Sequence, residues 1–369
     1  MAKPRLNKRD GTGDSPIRVG PVLGAGGVMG GAWITGGLHA LASETGWDPA
    51  TAEYIVGTSA GAMMGSLLAA GVPPWFMVAH SAGESFDDLI GRDGRPAATA
   101  DRSAGARFTW HRGLPRIAFG SPELILHGLR NIRPTPPLGM LIAWGPRGMI
   151  STEPLKDIVR RVVPRGWAQH PNLWLVAADY GTLERVVFGR QGSPTADLAD
   201  AVAAACAIPS FYHPVKIGDR LYIDGGVNSV SNLDLLIEAN LDLVICLNPM
   251  SSLHRPEHLA GRVTGIVRSN AGRRLGREAR LLRERGTKVV LVQPTAKDLA
   301  AMGANYMSST RRHHVIETAV DTVSQQLREP GVKKLLEGLP PGAPHKVARP
   351  ALPVGGWGPL FGAAAERSA

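Results

Sequence analysis

Short apolar runs alternate with glycine-rich turns and small-residue stretches along most of the chain. Residues 17–23 form an apolar run that predicts a buried strand, and a glycine-dense turn leads into a predicted helix from about Gly30 to Ser43. Residues 52–71 repeat this order with a strand, a sharp turn and a small-residue helix. Strands that alternate with helices predict an α/β fold with a mainly parallel sheet.

The second half of the chain continues this pattern. Helices are predicted from Ser151 onward and over residues 195–208. Further strands are predicted at residues 173–180, 185–190, 213–226 (a hairpin), 241–249 and 287–294. An arginine-rich helix precedes the last strand, and its basic residues predict a solvated outer face. Three apolar residues of this helix are expected to pack inward: Leu275, Ala279 and Leu282.

One large domain is predicted between two polar ends. Residues 1–15 are polar and glycine-rich, which predicts a disordered arm, and residues 329–369 are predicted to form a Pro/Gly-rich tail. The domain itself covers residues 16–328. Between residues 82 and 150 the pattern loosens, and we interpret this stretch as an insertion or cap over the sheet.

Composition and charge limit the classes of protein. Hydrophobic residues make up 44% of the chain and charged residues 20%, which is typical of a globular protein. The only cysteines, Cys206 and Cys246, imply no disulfide framework. Neither a signal peptide nor a spanning helix is predicted, so a cytoplasmic location is expected. The net charge of +10 favours peripheral contact with an anionic membrane, or serves solubility alone.

The stretch GTSAG places Ser59 in a G-x-S-x-G motif with Gly57 and Gly61. A predicted strand precedes the motif and a predicted helix follows it, which is the setting of a nucleophile elbow. Glycines on either side allow a turn sharp enough to expose the serine hydroxyl, and the helix N-terminus directs amide groups at a developing anion. The alternative is an ordinary structural turn.

Two other glycine motifs lie at predicted turns. In GAGGVMGG, residues 24–31, consecutive glycines let backbone N–H groups converge as an oxyanion hole requires. A dinucleotide-binding G-x-G-x-x-G motif would need glycine where Met29 stands, which disfavours that reading. The second motif, YIDGG, places Asp224 at a strand end before Gly225 and Gly226. By itself this is also compatible with an ordinary Asp-Gly turn.

Together, in this order and spacing, the three motifs resemble those of the patatin-like phospholipase family. The resemblance covers about residues 17–325 and implies a three-layer α/β/α fold and a Ser–Asp dyad acting on acyl esters of lipids. It implies that Ser59 is the nucleophile, that Asp224 is its base, and that amides around Gly26 and Gly27 form the oxyanion hole. The remaining motif glycines are Gly24, Gly30, Gly57, Gly61, Gly225 and Gly226. The resemblance implies no metal or other cofactor, and no nucleic acid partner is expected.

One departure and one alternative stay open. The family's glycine block usually carries Arg or Lys where this chain has Met29, so a catalytically weakened lipid- or membrane-binding protein is the alternative function. A Ser–Asp–His triad is the alternative mechanism, since Ser, Asp and His follow in that order in α/β-hydrolases. The histidines downstream of Asp224 that could complete such a triad are His254, His258, His313 and His314.

Overall fold

The computed structural model of the chain describes most of the predicted domain. The residues described are 17–84, 108–111, 121–124, 126, 145–251 and 259–351, with the backbone alone for residues 259–267.

A single mixed sheet of eight strands forms the centre of the structure. The strands are β1 (Val19–Leu23), β2 (Ile55–Thr58), β3 (Leu173–Asp179), β4 (Arg185–Phe188), β5 (Val215–Ile217), β6 (Arg220–Asp224), β7 (Leu243–Leu247) and β8 (Lys288–Val292). Their order is β5-β6-β3-β2-β1-β7-β8, and β4 also pairs with β3. The pairs from β3 through β2, β1 and β7 to β8 are parallel, whereas the pairs of β4, β5 and β6 are antiparallel.

Helices cover both faces of this sheet. They are α1 (Gly27–Thr45), α2 (Ala60–Ala69), α3 (Pro74–Ala82), α4 (Glu153–Val162), α5 (Leu198–Ala205), α6 (Leu259–Glu284), α7 (Ala296–Met302), α8 (Arg312–Arg328), α9 (Pro330–Leu336) and α10 (Pro344–Val347). Residues of α1, α2, α5 and α8 share one core cluster with the sheet, and α6 packs in a second cluster. The predicted three-layer α/β/α fold with a mainly parallel sheet is therefore confirmed.

The strand side chains divide between these two clusters because successive residues of a strand point to opposite faces. In β1, Leu23 belongs to the core beneath α1, whereas Val22 faces the α6 side. Leu175 and Val176 of β3 divide in the same way, and all four side chains are fully buried. The central strands thus read as continuous apolar runs because both of their faces are covered.

The predicted elements agree with the structure except at their ends. Strand β1 begins two residues later than predicted, and helix α1 begins at Gly27 rather than near Gly30. Glycine is a poor helix former, which is why the sequence did not indicate helix there. The first turn of α1 is held from outside the helix, since the Met29 N–H donates to the Tyr306 carbonyl at 3.0 Å. In α6, Leu275, Ala279 and Leu282 are buried, as predicted.

The predicted domain boundaries remain predictions. Residues 1–15 and most of residues 82–150 lie outside the described residues; within the latter, Trp110 bridges to Ile150 and Ile150 to Tyr212. The region predicted as a tail begins with α9 and α10, and its residues 352–369 are not described. Helix α10 contacts α3, because the Trp75 indole donates to the His345 carbonyl at 2.8 Å.

Within the described segments, no single helix is both long and apolar enough to cross a membrane. One bent pair, α2 with α3, reaches the required length and composition together, with a 119° bend between the two helices.

Candidate active site

Ser59 occupies a strained turn between β2 and α2. Its backbone angles, φ 53° and ψ −120°, lie in a region that residues with a side chain rarely adopt. The turn needs glycine on both sides. A Cβ at Gly57 would lie 2.6 Å from the Ala62 Cα, and one at Gly61 would lie 1.9 Å from the Leu23 carbonyl oxygen. The two motif glycines therefore allow the backbone contacts that form the elbow.

The sheet brings Ser59 and Asp224 together. Strands β2 and β6 follow one another along the same edge of β3: Thr58 pairs with Val176, and Asp224 pairs with the next residue, Ala177. Because β2 runs parallel to β3 and β6 antiparallel, the C-terminal ends of β2 and β6 meet. Ser59 follows the end of one strand and Asp224 ends the other, so the two residues lie next to each other, close enough for the Ser59 side chain to lower the pKa of Asp224.

The Asp224 carboxyl group is buried and only 5% of the residue is exposed. Burial raises the pKa of Asp224 from 3.8 to about 6, because removal from water disfavours the charged form. The interaction with the Ser59 side chain and a 2.7 Å hydrogen bond from the Gly226 N–H oppose this rise in pKa. Asp224 can therefore exchange a proton near neutral pH, which a solvated carboxyl group with a pKa near 4 does poorly.

The glycine loop, residues 24–30, lies beside the elbow. The Gly61 N–H donates to the Gly24 carbonyl at 3.1 Å, which ties the two turns together. Gly27 has φ 61°, a conformation that favours glycine. Within the described part of the chain, the N–H groups of Gly26, Gly27 and Ala60 donate to no acceptor. The loop and the start of α2 thus present unpaired N–H groups of the kind that stabilise an oxyanion.

A third loop supports both turns, a role that no sequence motif indicated. It follows Asp224 and comprises residues 229–232. The Ala25 N–H donates to the Val230 carbonyl at 2.8 Å, and the Asn232 side chain donates to the Thr58 hydroxyl at 3.0 Å. The buried Glu278 carboxylate of α6 accepts hydrogen bonds from the hydroxyl groups of Ser229 and Ser231. These contacts link the loop to the residues directly before Gly26 and Ser59.

Met29 and Cys206 are both buried apolar neighbours of the site. Met29 of α1 stands where the family's glycine block usually carries Arg or Lys, and its side chain is fully buried in the core. The Cys206 thiol donates to the Ser59 carbonyl at 3.1 Å, and burial raises the pKa of this thiol. Cys206 therefore supports the elbow backbone as a neutral group.

Two of the four histidines considered for a triad are described, and neither is buried with Ser59 and Asp224. His313 and His314 are exposed on α8, and the His313 ring contacts Glu317 at 2.9 Å. His254 and His258 lie outside the described residues. Across the described segments, no group of three or more His, Cys, Asp or Glu residues could hold a metal ion.

Comparison with known proteins decides the family. The family model for patatin-like phospholipase matches residues 22–237, more than half of the chain, and spans Ser59 and Asp224. The chain belongs to the patatin-like phospholipase family. A search of curated proteins found no match. Among solved structures, VipD from Legionella pneumophila is similar, with 14% sequence identity and a TM-score of 0.39, over 89% of this chain and 71% of that one.

Membership in the patatin-like phospholipase family supports lipid acyl hydrolysis as the general class of activity. The matched region includes the glycine loop, the elbow and the end of β6, and it stops before α6. The contacts that α6 makes with the loops around the site are therefore features of this chain that the family match does not describe.

Proposed function

We propose that this patatin-like protein hydrolyses carboxylic ester bonds of lipids through Ser59 and Asp224, with an acyl-serine intermediate. The observation that carries the proposal is the pairing of a strained, serine-bearing turn with a buried carboxyl group whose pKa is about 6. Strained backbone conformations and raised carboxyl pKa values both concentrate at catalytic sites. Phospholipids and lysophospholipids are the expected substrate class.

In the proposed reaction Asp224 acts first as a base and then as an acid. The Ser59 oxygen forms a bond to the acyl carbon while its proton passes to Asp224, and the carbonyl oxygen becomes an oxyanion that Gly26 and Gly27 N–H groups stabilise. The bond to the alcohol then breaks, and the alcohol leaves with the proton from Asp224. Water attacks the acyl-serine by the same steps, with Asp224 again taking the proton, and releases the fatty acid.

Covalent labelling tests the proposal directly. A fluorophosphonate probe is expected to label the wild-type protein at one site, since such probes react with an activated serine hydroxyl. Ser59→Ala is expected to abolish labelling and ester hydrolysis, whereas Ser66→Ala, at a buried serine of the helix α2 that follows Ser59, is the matched control that keeps both. An unlabelled, folded wild-type protein that still binds lipid vesicles would favour the alternative function, a lipid-binding protein without catalysis.

Activity is expected to fall as the pH drops through about 6. The base form of Asp224 is required, and its pKa is raised to about 6, so kcat/KM should lose about tenfold per pH unit below that value and stay level above it. The measurement is kcat/KM for a chromogenic ester between pH 4.5 and 8.5. A level profile down to pH 4.5 would contradict the assignment of Asp224 as the base.

A histidine base would produce a fall in activity in nearly the same pH range, because an ordinary histidine titrates near 6.5. The pH profile alone therefore does not separate a dyad from a triad. Alanine variants of the four downstream histidines do separate them. With a dyad, each variant keeps its activity within a few-fold of wild type: His254→Ala, His258→Ala, His313→Ala and His314→Ala.

A further inference from the structure

Arg268 of helix α6 is a buried cation. Only 3% of the residue is exposed. Its Nη1 donates to the Pro249 carbonyl at 2.8 Å, and its Nε and Nη2 donate to the Tyr306 hydroxyl at 3.0 and 2.5 Å. The guanidinium carbon also lies 5.1 Å from the centre of the Tyr306 ring, which is a cation–π distance.

Both partners of Arg268 contact the glycine loop. A Cβ at Gly26 would lie 2.7 Å from the Pro249 Cγ, so the proline ring packs directly on the loop. On the other partner, the Tyr306 carbonyl accepts the Met29 N–H at 3.0 Å and would lie 3.0 Å from a Cβ at Gly27. Pro249 and Tyr306 are far apart in the sequence, and the Arg268 side chain joins them.

Packing alone does not account for a charged group at this position. Burying a cation is unfavourable unless its donors find acceptors, and Arg268 directs its donors at the Pro249 carbonyl and the Tyr306 hydroxyl. An apolar side chain of similar size would fill the same space without this penalty. The planar guanidinium differs from such a side chain by donating to both partners at once.

We propose that Arg268 is a positioning residue that holds the glycine loop in the geometry of an oxyanion hole. Arg268 acts through Pro249 and Tyr306 and is not assigned a contact with substrate. This inference depends on the proposed function, because it assigns Arg268 to the reaction of Ser59.

The test compares three variants, two at Arg268 and one at Tyr306, with a control on helix α6. Arg268→Met removes the hydrogen-bond donors but keeps a side chain of similar size. Arg268→Lys keeps the positive charge but lacks the planar guanidinium that can donate to two partners at once. Tyr306→Phe removes only the hydroxyl group that accepts from Arg268. Arg277→Met, an exposed arginine of α6, is the control. The measurements are kcat and KM for a chromogenic ester, the rate of fluorophosphonate labelling, and the thermal midpoint of unfolding.

Arg268→Met is expected to lower kcat and the labelling rate about 10- to 100-fold, up to the loss that a 1 Å misplacement of a catalytic group causes. KM should change less than about threefold, since ground-state binding does not use the oxyanion hole. Arg268→Lys and Tyr306→Phe should fall between Arg268→Met and wild type, and Arg277→Met should match wild type. If Arg268 had a purely structural role, Arg268→Met would lower the thermal midpoint of unfolding without a large fall in kcat at nearly constant KM.

The outcomes distinguish this inference from the proposed function. If wild type is labelled and Arg268→Met folds with kcat within about twofold of wild type, the positioning role is wrong and the proposed function stands. If Arg268→Met does not fold, Arg268→Lys and Tyr306→Phe decide: unchanged kcat in both overturns the inference, and a lowered kcat in either supports it. A wild-type protein that is neither labelled nor active overturns the proposed function and the inference together.

Discussion

Asp224→Asn is expected to lower ester hydrolysis by about 10⁴-fold, which is the order of loss when the carboxylate of another serine catalytic unit is replaced by its amide. The amide has nearly the same shape as the carboxylate, so the sheet pairing of Asp224 with Ala177 should persist. It cannot accept the Ser59 proton. The measurement is kcat for a chromogenic ester at pH 8, with the labelling rate of Ser59 as a second readout.

The same variant is expected to be more stable than wild type at pH 8. The pKa of Asp224 is about 6 in the folded protein against 3.8 for the free group, so the folded state holds a proton more tightly than the unfolded state does. Between these values wild type loses stability as the pH rises, and above about 6 the loss is complete. At ~1.4 kcal/mol per pKa unit, removing the charge should raise the free energy of unfolding by up to about 3 kcal/mol.

Asp179→Asn is the matched control for both effects. Asp179 is also a buried aspartate at a strand end, but its carboxylate accepts hydrogen bonds from Arg220 and from two backbone N–H groups. This variant should lose stability and keep its activity within a few-fold. If Asp224→Asn kept more than about 1% of wild-type activity, Asp224 would not be the base. If Asp224→Asn were less stable than wild type at pH 8, the pKa of Asp224 would not be raised in the folded protein.

The elements of this fold could be predicted because their signals are local. A strand, a glycine turn and a small-residue helix follow one another twice in the first 71 residues, and each turn is read from residues next to each other in the sequence. The G-x-S-x-G motif therefore indicated an elbow at Ser59, where the structure has φ 53°. The arginine-rich helix was predicted for the same reason, since its buried residues recur at helical spacing.

The contacts that surround the site could not be predicted in this way. Strands β2 and β6 pair with successive residues on one edge of β3. The sequence of β6 alone does not indicate which strand it pairs with. The hydrogen bond from Asn232 to Thr58 joins residues 174 positions apart, and Arg268 reaches the glycine loop only through Pro249 and Tyr306. In the sequence Arg268 is one of many arginines in α6, and its burial is set by the tertiary structure.

Gly61→Ala is expected to lower the free energy of unfolding by about 3 kcal/mol or more, because the new methyl group has no space. Its Cβ would lie 1.9 Å from the carbonyl oxygen of Leu23, the last residue of β1. Strand β1 pairs with β2 on one side and β7 on the other, so it cannot move away without breaking the centre of the sheet. The measurement is the free energy of unfolding from urea titration at pH 8.

The activity of the folded fraction is expected to fall as well. Leu23 leads directly into the glycine loop, and the Gly61 N–H donates to the Gly24 carbonyl. A methyl group at Gly61 should therefore push the glycine loop away from Ser59. Gly276→Ala is the control: Gly276 lies in the exposed face of α6, a Cβ there meets nothing within 4 Å, and the change should add up to about 1 kcal/mol of stability. Equal stability of Gly61→Ala and wild type would contradict the close approach of α2 to β1. This approach places the turn at Ser59 beside the glycine loop.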